Sequence, residues 1–243
     1  MLTSDQVLVI VPALNEEASI GRVLGHLKAE GFAVLVVNDG STDLTAHISR
    51  QSGALVLDLA YNMGVGGALR AGFQVAVERG FEAIVQVDAD GQHPVQSIRG
   101  LIAAANSSGA HMVIGSRFIS SDTTMEVGLA RRFVMRLLAR SASRATQTSI
   151  TDSSSGFRLI RNPLLTQFSV EFSANYLGDT YESVISAGRA GYRVTEVPAP
   201  MGDRTAGVST ASWVHSVQST LKGLGVSTFR LHSRIKPFDA GDQ

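Results

Sequence analysis

Short apolar runs alternate with longer amphipathic segments along the first half of the chain. The apolar runs predict strands at residues 7–11, 33–37, 55–59, 83–87 and 112–114. Between them, apolar positions that repeat with helical spacing predict helices at 18–29, 42–50, 66–79 and 95–105. Continuous apolar strands that alternate with helices are typical of an α/β layer with a mainly parallel sheet.

The second half of the chain is less regular. Its pattern predicts helices at 127–144, 179–190 and 213–223 and strands at 156–161 and 193–197. No linker, internal repeat or low-complexity tract separates the two halves of the sequence. We therefore expect a single domain over residues 1–243, with residues 1–117 and 118–243 as its two halves.

Composition narrows the class of protein. Of the 243 residues, 44% are hydrophobic and 17% are charged, which is enough apolar material for a sizeable core. The chain has no cysteine, which excludes disulfides, zinc–thiolate sites and thiol nucleophiles. No run reaches the ~20 apolar residues that span a bilayer, and the first residues lack the basic flank of a signal peptide. We expect a cytoplasmic protein, bound at most to the cytoplasmic face of a membrane, without a nucleic-acid partner.

The net charge of zero conceals two oppositely charged halves. Residues 1–128 contain seven Lys and Arg against thirteen Asp and Glu, a net charge of −6. Residues 129–243 contain fourteen against eight, a net charge of +6. This asymmetry indicates either that the halves bind different ligands or that the surface composition is accidental.

Polar side chains cluster directly after several of the predicted strands. The carboxyl ends of parallel strands share one edge of a sheet, where ligands of such folds gather. The clusters are Asn15-Glu16-Glu17, Asn38-Asp39-Gly40-Ser41, Asp88-Ala89-Asp90 and Gly115-Ser116-Arg117. This placement predicts a ligand site at that edge.

Asp88-Ala89-Asp90 is the most informative of these clusters. Residues two apart in extended chain face the same way, so both carboxylates can converge on one point. Two uncompensated carboxylates repel each other, and a divalent cation is the usual remedy. Gln92 adds a carbonyl oxygen that a hard cation accepts. A cap on the helix that begins near Pro94 accounts for one of the carboxylates but hardly for both.

Several motifs in this order resemble the family-2 glycosyltransferases, especially the dolichyl-phosphate mannosyltransferase and polyprenyl-phosphate glycosyltransferase group. The motifs are Val11-Pro12-Ala13-Leu14-Asn15-Glu16-Glu17, Val37-Asn38-Asp39-Gly40-Ser41-Thr42-Asp43, Asp88-Ala89-Asp90-Gly91-Gln92-His93-Pro94, Gly115-Ser116-Arg117, Thr151-Asp152-Ser153-Ser154-Ser155-Gly156-Phe157-Arg158, Glu196-Val197-Pro198 and Arg204-Thr205-Ala206-Gly207-Val208-Ser209. The resemblance covers most of the chain, to about residue 210. It implies a GT-A fold, an α/β domain with a mainly parallel central sheet.

The resemblance implies that the first half binds a nucleotide sugar together with a metal ion. The residues that it assigns to the nucleotide sugar are Pro12, Ala13, Asn15, Glu17, Asp39, Asp88 and Ala89, with Asp39 hydrogen-bonding the base. The residues that it assigns to Mg²⁺ or Mn²⁺ on the diphosphate are Asp88, Asp90 and Gln92. Asn38 and Ala13 stand where the family often has Asp and Tyr, so the identity of the base stays open.

The resemblance also implies residues for catalysis and for the acceptor. The catalytic residues are Asp90, Arg117, Asp179 and Arg204, and the acceptor residues are Arg132, Arg136, Asp152 and Ser155. A metal ion and arginines would stabilise the charge that develops on a diphosphate leaving group. Asp179 would remove the acceptor proton, orient the acceptor or act as an ordinary charge at a helix start. Arg117 is alternatively a surface arginine, Asp152 a cap for local backbone and His93 a residue that shapes its turn.

A basic stripe runs along the helix predicted at 127–144. Arg132, Arg136, Arg140 and Arg144 recur every four residues, with apolar residues on neighbouring faces. Such a helix binds a membrane surface or an anionic ligand, or it packs on the core with a solvated basic side. The resemblance favours binding, because the corresponding helix of that group lies near the lipid-phosphate acceptor.

These observations predict an inverting, metal-dependent transferase that moves a hexose from a nucleoside diphosphate sugar to a polyprenyl phosphate. The donor is of the GDP-mannose or UDP-glucose type. One alternative keeps this donor chemistry with a soluble acceptor, such as a sugar, a phosphorylated small acid or a natural-product hydroxyl. Another is a nucleotide-sugar-binding module without catalysis, against which the intact set of Asp88, Asp90, Gln92, Arg117 and Arg204 argues.

Overall fold

The computed structural model describes residues 1–119, 129–172, 179–200, 202 and 235–239. Side chains are described in these ranges except at 129–134 and 179. Within the described ranges, no helix combines the length and the apolar character needed to cross a membrane. The helix predicted at 213–223 lies outside the described residues.

Seven strands and seven α-helices make up the described part of the chain. The strands are β1 (Val7–Ala13), β2 (Ala33–Asn38), β3 (Leu55–Asp58), β4 (Ala83–Gln86), β5 (Met112–Ser116), β6 (Arg158–Arg161) and β7 (Val194–Pro198). The helices are α1 (Ile20–Ala29), α2 (Thr45–Gln51), α3 (Gly64–Glu78), α4 (Ile98–Ser108), α5 (Leu129–Thr146), α6 (Leu164–Glu171) and α7 (Asp179–Arg189). Short 3-10 turns precede β1 and α4 at Ser4–Gln6 and Val95–Ser97.

The strands form one seven-stranded sheet in the order β3-β2-β1-β4-β6-β5-β7. Every neighbouring pair is parallel except those of β6, which runs antiparallel to both β4 and β5. The prediction of a mainly parallel α/β sheet is therefore confirmed. The carboxyl ends of β1, β2, β4 and β5 lie along one edge of this sheet, which we call the rim.

Alternate strand residues bury two apolar layers, one on each face of the sheet. In β1, Val7, Val9 and Val11 pack with α1 and α4, whereas Leu8 and Ile10 pack with α3, α6 and α7. The strands are continuously apolar, without alternating polar residues, because both faces of the sheet are buried. These two layers fix the strands, and the strands fix the loops that emerge at the rim.

Candidate active site

Two loops at the rim hold each other through reciprocal hydrogen bonds. These paired loops are residues 14–19, after β1, and residues 39–44, after β2. The bonds run from Asn15 N–H to Ser41 Oγ (3.0 Å), from Thr42 N–H to Asn15 Oδ1 (2.9 Å), from Glu17 N–H to Asp43 Oδ2 (3.1 Å) and from Leu44 N–H to Glu17 Oε2 (3.0 Å). Asn15 and Glu17 therefore shape the loops, and both remain exposed at the rim.

Asp39 lies at the end of β2 and is buried. Its N–H donates to the Ala13 carbonyl (2.9 Å), which joins the ends of β1 and β2. Its Oδ1 accepts the N–H of Met63 at the start of α3 (2.7 Å). Burial raises the pKa of the Asp39 carboxyl, against the opposing effect of the N–H groups of Met63 and Gly64. The carboxylate is held in place and retains lone pairs for a further donor.

The carboxylates after β4 lie in a tight turn. Gly91 adopts a positive φ of 80°, a conformation that favours glycine. Asp90 is buried, and its Oδ1 accepts the N–H of Gln92 (3.0 Å). Asp88 leaves 42% of its side chain exposed at the rim. The turn therefore presents Asp88 at the rim, and Oδ1 of Asp90 supports the turn from within.

His93 and Gly156 fix the position of Asp88. The Asp88 N–H donates to His93 Nδ1 (2.9 Å), so the imidazole proton belongs on Nε2, which lies 3.4 Å from Asp88 Oδ2. The buried imidazole packs on Phe157, with ring centroids 5.1 Å apart. A Cβ on Gly156 would stand 3.3 Å from both Asp88 oxygens, so only glycine leaves that carboxylate its full space. This geometry agrees with the interpretation of His93 as a residue that shapes the turn.

Arg117, which follows β5, forms a two-pronged ion pair with Asp152. Its Nε lies 2.7 Å from Asp152 Oδ2, and its Nη2 lies 2.8 Å from Asp152 Oδ1. The Asp152 side chain is fully buried, whereas the Arg117 side chain keeps 23% of its surface exposed. Burial lowers the pKa of Arg117, but Asp152 and the charge of Asp88 outweigh that effect and raise it. Arg117 is therefore a fixed cation beside the acidic turn and not an isolated surface arginine.

Glu196 on β7 holds the Asp152 turn, residues 151–155. Its Oε1 accepts the N–H of Asp152 (2.6 Å), and its Oε2 accepts both the N–H (2.7 Å) and the hydroxyl (2.9 Å) of Thr151. A chain of contacts thus leads from Glu196 through Asp152 to Arg117. No role for Glu196 could be predicted from the sequence, where its only signal is a carboxylate within a family motif.

Ser155 and Arg158 tie the Asp152 turn to its surroundings. The buried Ser155 hydroxyl donates to the Gly115 carbonyl of β5 (2.7 Å). Arg158, also fully buried, donates from Nη1 to the Thr180 carbonyl (3.1 Å) and to Ser183 Oγ (2.7 Å) on α7, and from Nε to the Ser155 carbonyl (3.2 Å). Arg158 therefore links β6 to the beginning of α7. Arg158 is a charged residue inside an apolar strand, which is the signal in the sequence that could have predicted this role.

The remaining predicted residues are distributed as follows. Pro12 is half-buried at the end of β1, and Ala13 and Ala89 are buried near the ends of β1 and β4. Arg136 is exposed on α5, and no described contact ties its side chain to the rim. Arg204 lies outside the described residues, as do the side chains of Arg132 and Asp179. The chain nevertheless passes the acidic turn just before Arg204, because the Gly202 N–H donates to the Gln92 carbonyl (3.0 Å).

The family model described as "Glycosyl transferase family 2" matches residues 8–168. A polyprenol monophosphomannose synthase from Mycolicibacterium smegmatis is 30% identical over 220 residues, which are 86% of this chain and 82% of that protein. An undecaprenyl-phosphate mannosyltransferase from Micrococcus luteus is 29% identical over 85% of this chain and 88% of that protein. These relatives confirm the resemblance that the sequence motifs indicate.

A solved structure of glucosyl-3-phosphoglycerate synthase from Mycobacterium tuberculosis shares the fold. That protein, in complex with Mn²⁺, uridine diphosphate and glucosyl-3-phosphoglycerate, matches with a TM-score of 0.65 at 20% identity, over 97% of this chain and 81% of that chain. The likeness confirms the GT-A fold predicted from the sequence.

Proposed function

This chain belongs to glycosyl transferase family 2, and from that premise we propose that it transfers a hexose from a nucleoside diphosphate sugar to a polyprenyl phosphate. The observation that carries the proposal is the meeting at the rim of an acidic turn, Asp88 and Asp90, with a fixed guanidinium, Arg117. Carboxylates suit a cation that binds a diphosphate, and a guanidinium suits phosphate oxygens directly. A bound cation and a guanidinium would both stabilise negative charge in a reaction in which a diphosphate leaves and a phosphate attacks.

The paired loops and Asp39 form the nucleotide side of the proposed site. Asp39 keeps acceptor capacity after its two backbone bonds, so it can accept a ring N–H from uracil or guanine. Adenine lacks such a ring N–H, so UDP- or GDP-sugars are the expected donors. The other residues assigned to the donor in this proposal are Pro12, Ala13, Asn15, Glu17, Asp88 and Ala89.

Asp88, Asp90 and Gln92 fit a Mg²⁺ or Mn²⁺ ion. Each of these side chains would coordinate a cation through an oxygen atom, and hard divalent cations prefer oxygen ligands. Within the described ranges, no three His, Cys, Asp or Glu side chains form a complete metal cage. Substrate phosphates and water commonly complete the shell of such an ion. When bound, the ion would neutralise charge on the leaving diphosphate.

The transfer step forms one bond as another breaks. An oxygen of the acceptor phosphate attacks the anomeric carbon while the bond to the diphosphate breaks, which inverts the configuration. That oxygen is already ionised at neutral pH, so no side chain has to remove a proton. In this proposal Arg117 stabilises phosphate charge, Asp152 orients Arg117, Arg204 contributes a second cation, and Asp179 orients the acceptor.

The relatives and α5 support a lipid phosphate as the acceptor. Two relatives carry names that specify polyprenol monophosphomannose synthesis and undecaprenyl-phosphate mannosyl transfer. On α5, Arg136, Arg140 and Arg144 are exposed together with Leu137. Positive charge beside an exposed apolar side chain suits an anionic membrane surface. In this proposal Arg132, Arg136 and Ser155 belong to the acceptor side of the site, and the protein acts at the cytoplasmic face of a membrane.

A soluble phosphorylated acid is the second candidate acceptor. The solved structure with the same fold contains glucosyl-3-phosphoglycerate. A fixed Arg117 would serve the phosphate of such an acid as well as that of a lipid. Because that likeness extends only to the fold, the polyprenyl phosphate ranks first.

A matrix of donors and acceptors tests the proposal. The purified protein with Mn²⁺ is given radiolabelled UDP-glucose, GDP-mannose or ADP-glucose, and either undecaprenyl phosphate or 3-phosphoglyceric acid. We expect label in the organic phase with undecaprenyl phosphate and a UDP- or GDP-sugar, and little with ADP-glucose. Label transferred only to 3-phosphoglyceric acid would establish the second candidate instead. Label that stays on every nucleotide would identify a binding module without catalysis.

A further inference from the structure

A second group of basic residues lies at the end of the sheet opposite the rim. His111 precedes β5, Arg161 ends the antiparallel β6, and Arg193 precedes β7. Backbone bonds hold the three together: the His111 N–H donates to the Arg193 carbonyl (2.8 Å), and the Arg161 N–H donates to the His111 carbonyl (3.0 Å). The sheet register, and not a flexible loop, therefore fixes the spacing of this basic cluster.

Both guanidinium groups of the basic cluster meet at Gly109, where α4 ends. Arg161 Nη2 donates to the Gly109 carbonyl (3.2 Å). A Cβ on Gly109 would stand 3.1 Å from Arg193 Nη1, so Arg193 lies directly over that residue. Among the residues that the structure describes, no carboxylate pairs with either arginine. Two like charges are thus brought together, and none of the acids that the structure describes lies between them in an ion pair.

The helix end explains only one of these arginines. The carbonyl groups at a helix carboxyl end attract a cation, and the bond from Arg161 to Gly109 uses that attraction. The described part of the chain contains no corresponding bond for the Arg193 guanidinium. Burial lowers the pKa of Arg161, and the charge of Arg193 lowers it further. Burial likewise lowers the pKa of His111 to about 4, with contributions from both arginines, so His111 is neutral near pH 7 and adds no third charge.

A cavity opens beside Arg193. Its volume is about 370 Å³, within the range of roughly 300–1,000 Å³ that is typical of small-molecule sites. Its lining includes Arg193 together with the hydroxyl-bearing residues Ser108, Thr146, Thr148 and Thr195. The hydroxyl groups of Ser108, Thr146 and Thr148 already donate to backbone carbonyls, so the guanidinium of Arg193 is the donor that suits the cavity to an anion.

We propose that this cavity binds a small molecule that carries a phosphate group, with Arg193 as its direct cation and Arg161 as a second positive charge nearby. A guanidinium matches two phosphate oxygens at once. A dianionic phosphate gains from both arginines, whereas a single carboxylate carries only half that charge. The site faces away from the rim, so it is separate from the proposed transfer site and does not depend on it.

The affinity of the protein for inorganic phosphate, measured by calorimetry, tests this site. The ionic strength is held constant with NaCl, and acetate is titrated separately as a carboxylate for comparison. Arg193→Gln removes the direct cation and should weaken phosphate binding at least about tenfold. Thr195→Trp keeps both arginines but fills the cavity, and it should abolish the same binding. If that variant is unstable, Thr148→Phe fills the cavity from a different residue. Arg79→Gln, an exposed arginine at the carboxyl end of α3, is the matched control and should bind like the wild type.

Phosphate can also bind at the rim, and the wild type and all variants would share that binding. The test therefore rests on the difference in phosphate affinity between each variant and the wild type. NMR signals of the arginine side chains locate that difference, and those of Arg161 and Arg193 should shift with phosphate in the wild type. Equal phosphate binding by the wild type and Arg193→Gln would overturn the site. Normal binding by a folded cavity-filling variant would overturn the role of the cavity, and equal binding of acetate would overturn the choice of phosphate.

Discussion

The paired loops and the Asp152 turn both position residues at the rim, but they do so in different ways. In the paired loops, exposed side chains such as Asn15 and Glu17 exchange single hydrogen bonds with backbone N–H groups. In the Asp152 turn, a fully buried carboxylate holds Arg117 and is itself held by Glu196. Loss of one exposed bond costs little, whereas a broken buried ion pair leaves an uncompensated charge. We therefore expect substitutions in the paired loops to change the stability of the protein little, and substitutions in the Asp152 turn to lower it strongly.

The largest effect is expected at the acidic turn, between the two regions. Asp90→Asn should reduce hexose transfer by roughly 10²–10³-fold or more, because the substitution removes charge from the proposed metal ligands. Nucleotide affinity measured without metal should stay unchanged, since the paired loops are intact. Asp5→Asn, an exposed position near the amino end, is the control. A variant that transfers at the wild-type rate would remove Asp90 from the mechanism.

Asp152→Asn tests the buried side of the comparison. The substitution takes the countercharge from a mostly buried Arg117 and should cost on the order of 3 kcal/mol of unfolding free energy. For a chain of this size, that corresponds to a loss of roughly 6–12 °C in melting temperature.

Transfer by Asp152→Asn should fall at 20 °C, where the protein remains folded, while nucleotide affinity is retained. Arg50→Gln breaks the exposed ion pair of Arg50 with Asp58, leaves the hydrogen bond from Asn38 to Asp58 in place, and serves as the control, with an expected cost below about 1 kcal/mol. Equal melting temperatures for the two variants would contradict the comparison.

Glu196→Gln probes the same region one contact further away. Glutamine keeps one acceptor oxygen but turns an NH₂ group toward the N–H of either Thr151 or Asp152, so stability should drop by about 1–2 kcal/mol. Because Arg117 loses its alignment indirectly, turnover should fall while the KM for the nucleotide sugar stays constant. Glu78→Gln, an exposed glutamate on α3, should change neither quantity. A rise in that KM without a change in turnover would place Glu196 on the donor side instead.

The smallest effect is expected in the paired loops. Burial raises the pKa of the Asp43 carboxyl, but hydrogen bonds from Thr45 and from the Glu17 N–H outweigh it and leave the pKa below its ordinary value. A lowered pKa in the folded state adds stability above the unfolded-state pKa of about 3.9, and this stability is lost as the pH falls through the folded-state pKa. Urea midpoints at pH 6 and pH 3 should therefore differ slightly more for the wild type than for Asp43→Asn. A larger acid sensitivity in the variant would reverse the assigned sign.

The sequence predicted the first half of the fold well, because its signals are local. Buried strands of the first half read as continuous apolar runs, and the polar clusters that follow them do lie at one rim. The glycine-rich segment after residue 62 opens α3, which begins at Gly64. Helix α6 was missed because it has only eight residues, and its apolar positions are too few to show a helical period.

The contacts around Arg117 could not be predicted from any local pattern. Arg117 and Asp152 are 35 residues apart, and Asp152 and Glu196 are 44 residues apart. The antiparallel insertion of β6 between β4 and β5 brings the Asp152 turn to Arg117, and the pairing of β7 with β5 brings Glu196 to the same place. The strand predicted at 156–161 is also shorter than expected and begins at Arg158, because the hydroxyl of Ser155 accepts the Phe157 N–H and keeps that backbone in a turn (3.2 Å).

We propose above all that the acidic turn uses a divalent ion to transfer a hexose at the rim. The most direct measurement is the initial rate of transfer to undecaprenyl phosphate after the metal has been removed with EDTA, and again after Mn²⁺ has been restored in excess. We predict that the rate falls to background without metal, that Mn²⁺ restores it in the wild type, and that Mn²⁺ does not restore it in Asp90→Asn. Transfer at an unchanged rate in excess EDTA would contradict the claim.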